Sequence, residues 1–311
     1  MRGTALRRFG GVLGYALYGT GALALALWLL FPREAVRGSL EKMLGSVWPD
    51  LHWQVGDVSL GLPVDLALSP VEGYARKGDT TPLVRFERVS IRWYLLDSVL
   101  SWSGRVGYHM VVGKGSIIGK ARWQGAHDGG RIEGTVLNVN PADAPWISRQ
   151  LGRAIQGSFS GTFTADVRPE SSPAITLEGR FDMVNGRLSL KRPILGFREL
   201  PFTKAGVTVH GQGEAFVLSL GTVTSHLFDG RFSGTMTLRH DSGFGQIDVQ
   251  GVAEFKDSFF KGLDNTVNLQ AFRLQLKDNA LPFNIIGELA SPGIYYGEHA
   301  MLVQDLEQEL R

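Results

Sequence analysis

From Leu51 onward, apolar side chains recur at every second position, the period of a strand with one dry and one wet face. The run GSFSGTFTADVR from Gly157 is the clearest. Phe159, Gly161, Phe163, Ala165 and Val167 share one face, and Ser158, Ser160, Thr162, Thr164, Asp166 and Arg168 share the other. Ile175, Leu177, Phe181 and Met183 alternate with Thr176, Glu178, Arg180 and Asp182. Phe232, Met236 and Leu238 alternate with Arg231, Ser233, Thr235 and Arg239, and Ile247, Val249, Ala253 and Phe255 continue the pattern. Half-buried strands of this kind pair antiparallel. Asn185-Gly186, between two such runs, predicts a tight hairpin.

Two runs change phase midway. Val84 and Phe86 give way to Val89, Ile91 and Trp93; Val267, Leu269 and Ala271 give way to Phe272, Leu274 and Leu276. A one-residue slip is what a β-bulge introduces, and bulges bend strands. The pattern therefore predicts a long, curled antiparallel sheet. GSFSGTFT from Gly157 and GRFSGTMT from Gly230 agree at six of eight positions, which fits either a shared strand unit or convergent strand composition.

Helical spacing interrupts this regime in four places. Pro32 opens a stretch in which Val36, Leu40, Leu44 and Val47 recur every three or four residues, and Trp48-Pro49-Asp50 ends it: an amphipathic stalk helix within 32–50. Tyr94–Trp102 is an apolar helical patch. Asn140-Pro141 supplies a cap and a first-turn proline for a helix carrying Trp146, Ile147, Leu151 and Ile155. These two read as plugs at an end of the sheet. Leu302, Leu306 and Leu310 stripe a short helix or frayed tail in 292–311.

Ahead of all this, Phe9–Phe31 holds twenty-three residues without an ionisable side chain. As a helix it would extend about 34 Å, enough to cross a hydrocarbon core of about 30 Å. Arg2, Arg7 and Arg8 precede it, which predicts a cytoplasmic N-terminus and places everything after the span across the membrane. A cleaved signal peptide would have a shorter apolar core; Ala22, Ala24 and Ala26 alternate as a cleavage site would, but the apolar run continues past them to Phe31. The expected partner of residues 9–31 is the lipid bilayer. A buried core helix of this length without charges fits less well.

Composition narrows the function. The 311 residues carry 32 basic and 30 acidic side chains, a net charge of +2 with no clustered basic run, so nucleic acid is not an expected partner. There is no cysteine, hence no disulfide framework, thiolate metal site or lipidated cysteine. Forty glycines punctuate the strands. No serine has glycine at both −2 and +2, and neither Gly113-Lys114 nor Gly119-Lys120 continues into Ser or Thr, so neither a nucleophile elbow nor a P-loop is present. GKGSIIG from Gly113 lacks dinucleotide-loop spacing, and His52, His109, His127, His210, His226, His240 and His299 are scattered without a metal-ligand spacing. The reading is non-enzymatic, with no catalytic, cofactor-binding or metal residue singled out and no cofactor expected.

An anchored β-structure with an apolar face suits two functions: recruiting partners through edge strands and stalk, or holding acyl chains on the dry face. Gly161, Gly179, Gly234 and Gly251 on that face leave room, while its large side chains would fill it.

The short basic N-terminus and span, FPREAVRGSLEKML from Phe31, GDVSLGLP from Gly56, SIRWYLLDSVLS from Ser90, GRLSLKRPILGF from Gly186, FDGRFSGTMTLR from Phe228 and IIGELASPGI from Ile285 together resemble protein N of the type II secretion system. The similarity is diffuse and runs from the anchor to about Pro292. That family is in turn distantly similar to AsmA-type envelope proteins. The resemblance implies a single-pass inner-membrane protein whose bulk is periplasmic and which serves secretion of folded proteins through contacts with other secretion-system subunits. The AsmA-like side of it implies binding or transfer of phospholipid between membranes. The expected fold is mainly β: residues 1–31 as N-terminus and transmembrane helix, 32–50 as stalk, 51–291 as a curled groove or sandwich with short helices, and 292–311 as tail.

Overall fold

The computed structural model describes residues 18–19, 30–61, 65–94, 103–124, 129–168, 175–194, 197–238, 245–262, 272, 274, 276 and 280–297. The expected span 9–31, the patch 95–102 and the tail beyond 297 lie outside these, apart from Tyr18, Gly19, Leu30 and Phe31; Tyr18 and Gly19 have helical backbone. No helix of the described residues is long and apolar enough to cross a membrane.

Antiparallel strands dominate. They are β1 (His52–Gly61), β2 (Asp65–Tyr74), β3 (Val84–Phe86), β4 (Arg88–Trp93), β5 (Ser103–Val112), β6 (Gly115–Gln124), β7 (Gly130–Val139) and β8 (Ile155–Val167). β9 (Ile175–Ile194), β10 (Phe197–Gln212), β11 (Ala215–Thr224), β12 (Phe228–Thr237), β13 (Gln246–Phe255), β14 (Ala280–Glu288) and β15 (Gly293–Tyr296) follow. All belong to one sheet in chain order, except that β3 pairs only with the end of β2. The sheet does not close: β1 pairs with β2 alone and β15 with β14 alone. Among the described residues the strands form this one open sheet, with no second sheet packed on it. β15 also carries the sheet past the expected boundary at 291, since Ile285↔Ile294 pairing extends the last hairpin.

Helix α1 (Arg33–Val47) realises the 3.6-residue stripe: Val36, Leu40 and Leu44 pack on Trp53, Val55, Val58, Leu68, Val71 and Val89. Its Glu41 carboxylate accepts the Val55 N–H at 2.9 Å, satisfying a donor on edge strand β1. The segment after Asn140 is a 3-10 turn (Pro141–Asp143) followed by helix α2 (Pro145–Leu151). The Asn140 side chain accepts from Ala142 N at 3.1 Å, as a cap should. Gly152, at φ 59°, stops the helix, so Ile155 opens β8 instead of extending the helix. Helix α3 (Asp257–Gly262) brings Phe259 against Leu227, Phe272 and Leu281.

Two expectations on the strands are corrected. Asn185-Gly186 turns no hairpin; it sits inside β9, twenty residues long. Two residues there oppose Gly157 alone, because Gln156 pairs with Arg187 and Ser158 with Val184. Asn185 takes φ 51°, so the left-handed tolerance that favours Asn in tight turns is used for a bulge. Asn138, also at φ 51°, does the same between β7 and β8. The second phase change reads as a strand only in the sequence. Phe272 and Leu274 have helical backbone, Phe272 filling the cluster around Phe259; Val267, Leu269 and Ala271 lie outside the described residues.

The first phase change is a real interruption between β3 and β4. Ser69 Oγ donates to the Glu87 carbonyl at 2.9 Å, and the Glu87 carboxylate accepts from Gly113 N at 2.9 Å. Buried positions shift phase along one line across three strands: Val55 to Val58, Val71 to Leu68, Phe86 to Val89.

Glycines test this packing. A Cβ at Gly161 would stand 2.5 Å from the Arg180 carbonyl oxygen and 2.5 Å from the Phe181 ring, whereas one at Gly38 in α1 meets nothing within 4 Å. Gly161→Ala is expected to cost about 1–3 kcal/mol by overpacking, and Gly38→Ala to add about 0.5–1 kcal/mol by helix propensity. Urea midpoints of the two variants check the opposite signs.

Candidate functional site

The feature with functional potential is the sheet's inner face. Followed through the pairing register, one row runs Leu60, Leu66, Ile91, Tyr108, Gly119, Gly134, Phe163, Gly179, Val209, Leu218, Gly234, Val249, Ile285, Ile294. It crosses all fourteen strands of the main path without a charged or amide side chain. At about 4.8 Å per strand the row extends about 60 Å, twice a bilayer's hydrocarbon thickness. A parallel row, Trp93, Val106, Ala121, Ile132, Ala165, Leu177, Gly211, Phe216, Met236, Ile247, Gly287, is equally apolar.

Size alternates along these rows because each ring lies down on a glycine of the adjoining strand. A Cβ at Gly134 would stand 2.5 Å from the Phe163 ring and 2.6 Å from the Tyr108 hydroxyl. Phe181 covers Gly161 and, on its own strand, Gly179; Phe216 covers Gly211, Phe232 covers Gly221 and Phe283 covers Gly251. Rings lying flat line the face without standing across it. Phe159 and Phe181 stack, centroids 5.3 Å apart, in the same manner.

Helices close one long margin of this face. α1 covers the β1–β4 end, and Phe259 of α3 and Phe272 cover the β12–β14 end. Between them Val112, Val136 and Val139 are buried under Phe86, Phe159 and Phe163. At the opposite margin Trp93 and Ile175 remain 43% and 46% exposed. Among the described residues no second layer packs over the rows between, and most of their side chains are half-buried by neighbours on the sheet alone. Even two such rows make an apolar strip on the order of several hundred Å², the range in which exposed patches mark interaction sites.

The outer face is wet and charged. Arg92 makes a two-pronged bond to Asp65, both contacts 2.9 Å, and this hydrogen bonding holds the Asp65 carboxyl below the usual carboxylate range. Arg231–Glu254 at 3.0 Å and Lys204–Asp182 at 3.6 Å link neighbouring strands. Such exposed pairs each contribute about 0–1 kcal/mol and mainly set register. His52, His109, His210 and His226 are separated among these elements, and no group of three or more His, Asp or Glu converges among the described residues; His127, His240 and His299 lie outside them.

No family model, curated protein or solved structure matches the chain.

The sequence placed Gly161, Gly179, Gly234 and Gly251 on the dry face, and the register puts all four there. Tyr108 escaped notice because its strand, GRVGYHMVV, carries no clean alternation. Its hydroxyl donates to the Glu133 carbonyl at 3.1 Å, and burial raises its pKa above the usual 10.0. A folded-state value above the unfolded one means the stabilisation is complete below about pH 10 and is lost as pH rises through the folded-state value. Stability of the natural protein is therefore expected to fall on alkaline titration in that window. In Tyr108→Phe that component of the fall should be missing, as chemical denaturation at pH 8 and pH 11 will register.

Proposed function

We propose that this chain is a non-enzymatic, membrane-anchored envelope protein whose curled sheet binds the acyl chains of phospholipid. The observation that carries the reading is the unbroken apolar row from Leu60 to Ile294, lined by flat-lying rings and uncovered among the described residues. An apolar face serves folding when a second layer dries it; left open over about 60 Å, it offers chains in water the same free-energy gain of about 25 cal/mol per Å² buried. Residues 9–31 supply the anchor in the inner membrane, the basic N-terminus keeps to the cytoplasm, and the β-domain extends into the periplasm. A trough tethered at the bilayer is placed to take lipid from it.

A second reading has its own support. The segments resembling protein N of the type II secretion system build recognisable parts of this fold: FPREAVRGSLEKML is α1 on the first strands, and IIGELASPGI is the last hairpin. The outer strands β1 and β15 each have one unpaired side, the surface by which a sheet recruits a partner strand. Under this reading the protein serves folded-protein export through contacts with other secretion subunits.

Native mass spectrometry of the full chain released from mild detergent separates the two. The lipid reading expects one or more phospholipids retained, and expects Leu218→Lys, a charge set mid-row, to reduce retention at least ten-fold while circular dichroism stays unchanged. Bare protein in both cases would overturn it. A deletion strain supplies the complement: trapped, folded substrate in the periplasm favours the secretion reading, whereas detergent sensitivity with normal secretion favours the lipid one.

A further inference from the structure

We propose that the inner face holds lipids in file, about three diacyl molecules end to end, with their chains lying across the strands; this rests on the acyl-chain reading above. Beside the two rows already traced, a third runs from Val58 through Met110, Val136, Phe181 and Phe232 to Tyr296. It too carries no charged or amide side chain. On any one strand the three rows stand two residues apart, as Met110, Tyr108 and Val106 do on β5, a spacing of about 6.8 Å. The inner face is thereby ruled into two lanes, each bounded by apolar side chains.

The rings decide which way a chain can lie. Contacts between ring and glycine join residues directly opposed in one row: Phe163 with Gly134, Phe181 with Gly161 and Phe283 with Gly251. The rings thus point along the rows and bridge the furrows between neighbouring strands. A chain laid parallel to the strands would cross them, whereas one laid in a lane meets only their edges. Two lanes side by side match the two chains of a diacyl lipid.

Length then sets the number. The shortest of the three rows, Trp93 to Gly287, crosses the eleven strands from β4 to β14. At about 4.8 Å per strand it extends about 48 Å. A hydrocarbon core of about 30 Å is two chains deep, so one chain covers about 15 Å. The lanes are therefore about three chain lengths long. Among the described residues the helices leave that length clear. α1 packs on Val58, Leu68 and Val89 of the third row, on β1, β2 and β4, and α3 packs on Leu281, one row outside Phe283. A single lipid would leave most of the lanes empty.

The test counts lipids against chain length. Full-length protein in mild detergent is titrated to saturation with dioleoyl phosphatidylglycerol and, separately, with its didecanoyl counterpart, and native mass spectrometry reads the number bound. The natural protein is expected to saturate at about three dioleoyl molecules and at roughly twice as many didecanoyl ones, since shorter chains leave room in the same lanes. One dioleoyl molecule at saturation overturns the file and leaves the acyl-chain reading standing. Equal numbers at both chain lengths place the lipids side by side along the strands and overturn the end-to-end arrangement. A count that never saturates marks indiscriminate adhesion and overturns it too. Failure of both lipids to bind overturns the acyl-chain reading and this inference together.

Discussion

Everything on the inner face depends on one steric relation: an aromatic ring on one strand lying across a glycine on the next. Phe163 over Gly134, Phe181 over Gly161, and Phe283 over Gly251 repeat it along the sheet. A glycine inside a strand normally weakens it, since it has nothing to pack and much backbone freedom to lose. Here the neighbour's ring covers the gap, so the sheet recovers the lost contact without a second layer. The rings are thereby held flat. Upright phenylalanines would interrupt the apolar rows; here the rings lie against glycines and the rows stay continuous.

Curvature and plugs follow from the same economy of layers. A single sheet with one uncovered apolar face must shield its weakest points by other means. Left-handed asparagines at 138 and 185 insert bulges that bend β7 and β9, and the break at Glu87 shifts the dry phase across three strands together. Among the described residues, α1 covers Val55 and α3 brings Phe259 against Leu227 at one margin, and Trp93 and Ile175 stand exposed at the other.

The proposed function is a matter of surfaces rather than of reactive groups. Carboxylates of the outer face are matched to lysines and arginines of adjoining strands, as in Asp65–Arg92 and Arg231–Glu254, and serve register. Under that proposal, the chemistry offered to a ligand is burial along the inner face. That suits acyl chains, and residues 9–31, if they span a membrane as their sequence suggests, would hold the domain beside the bilayer.

The sequence by itself determined the strands, their antiparallel pairing and which residues are dry, because side-chain alternation is a local property of extended backbone. It also determined α1 and the capped turn after Asn140, whose signals lie within a few residues of one another. Asn185-Gly186 misled because the same left-handed conformation serves a hairpin and a bulge, and only the partners Gln156 and Ser158, some thirty residues earlier, distinguish them. The strand pattern at 272–276 misled because Phe272 is buried by a tertiary cluster, which imposes no period. Whether glycines and rings on the dry face would open or fill it was likewise undecidable from order along the chain. Their pairing is cross-strand, set by register between residues far apart in sequence, and so the tertiary structure alone decided that the sheet stays unclosed and that its apolar rows lie uncovered among the described residues.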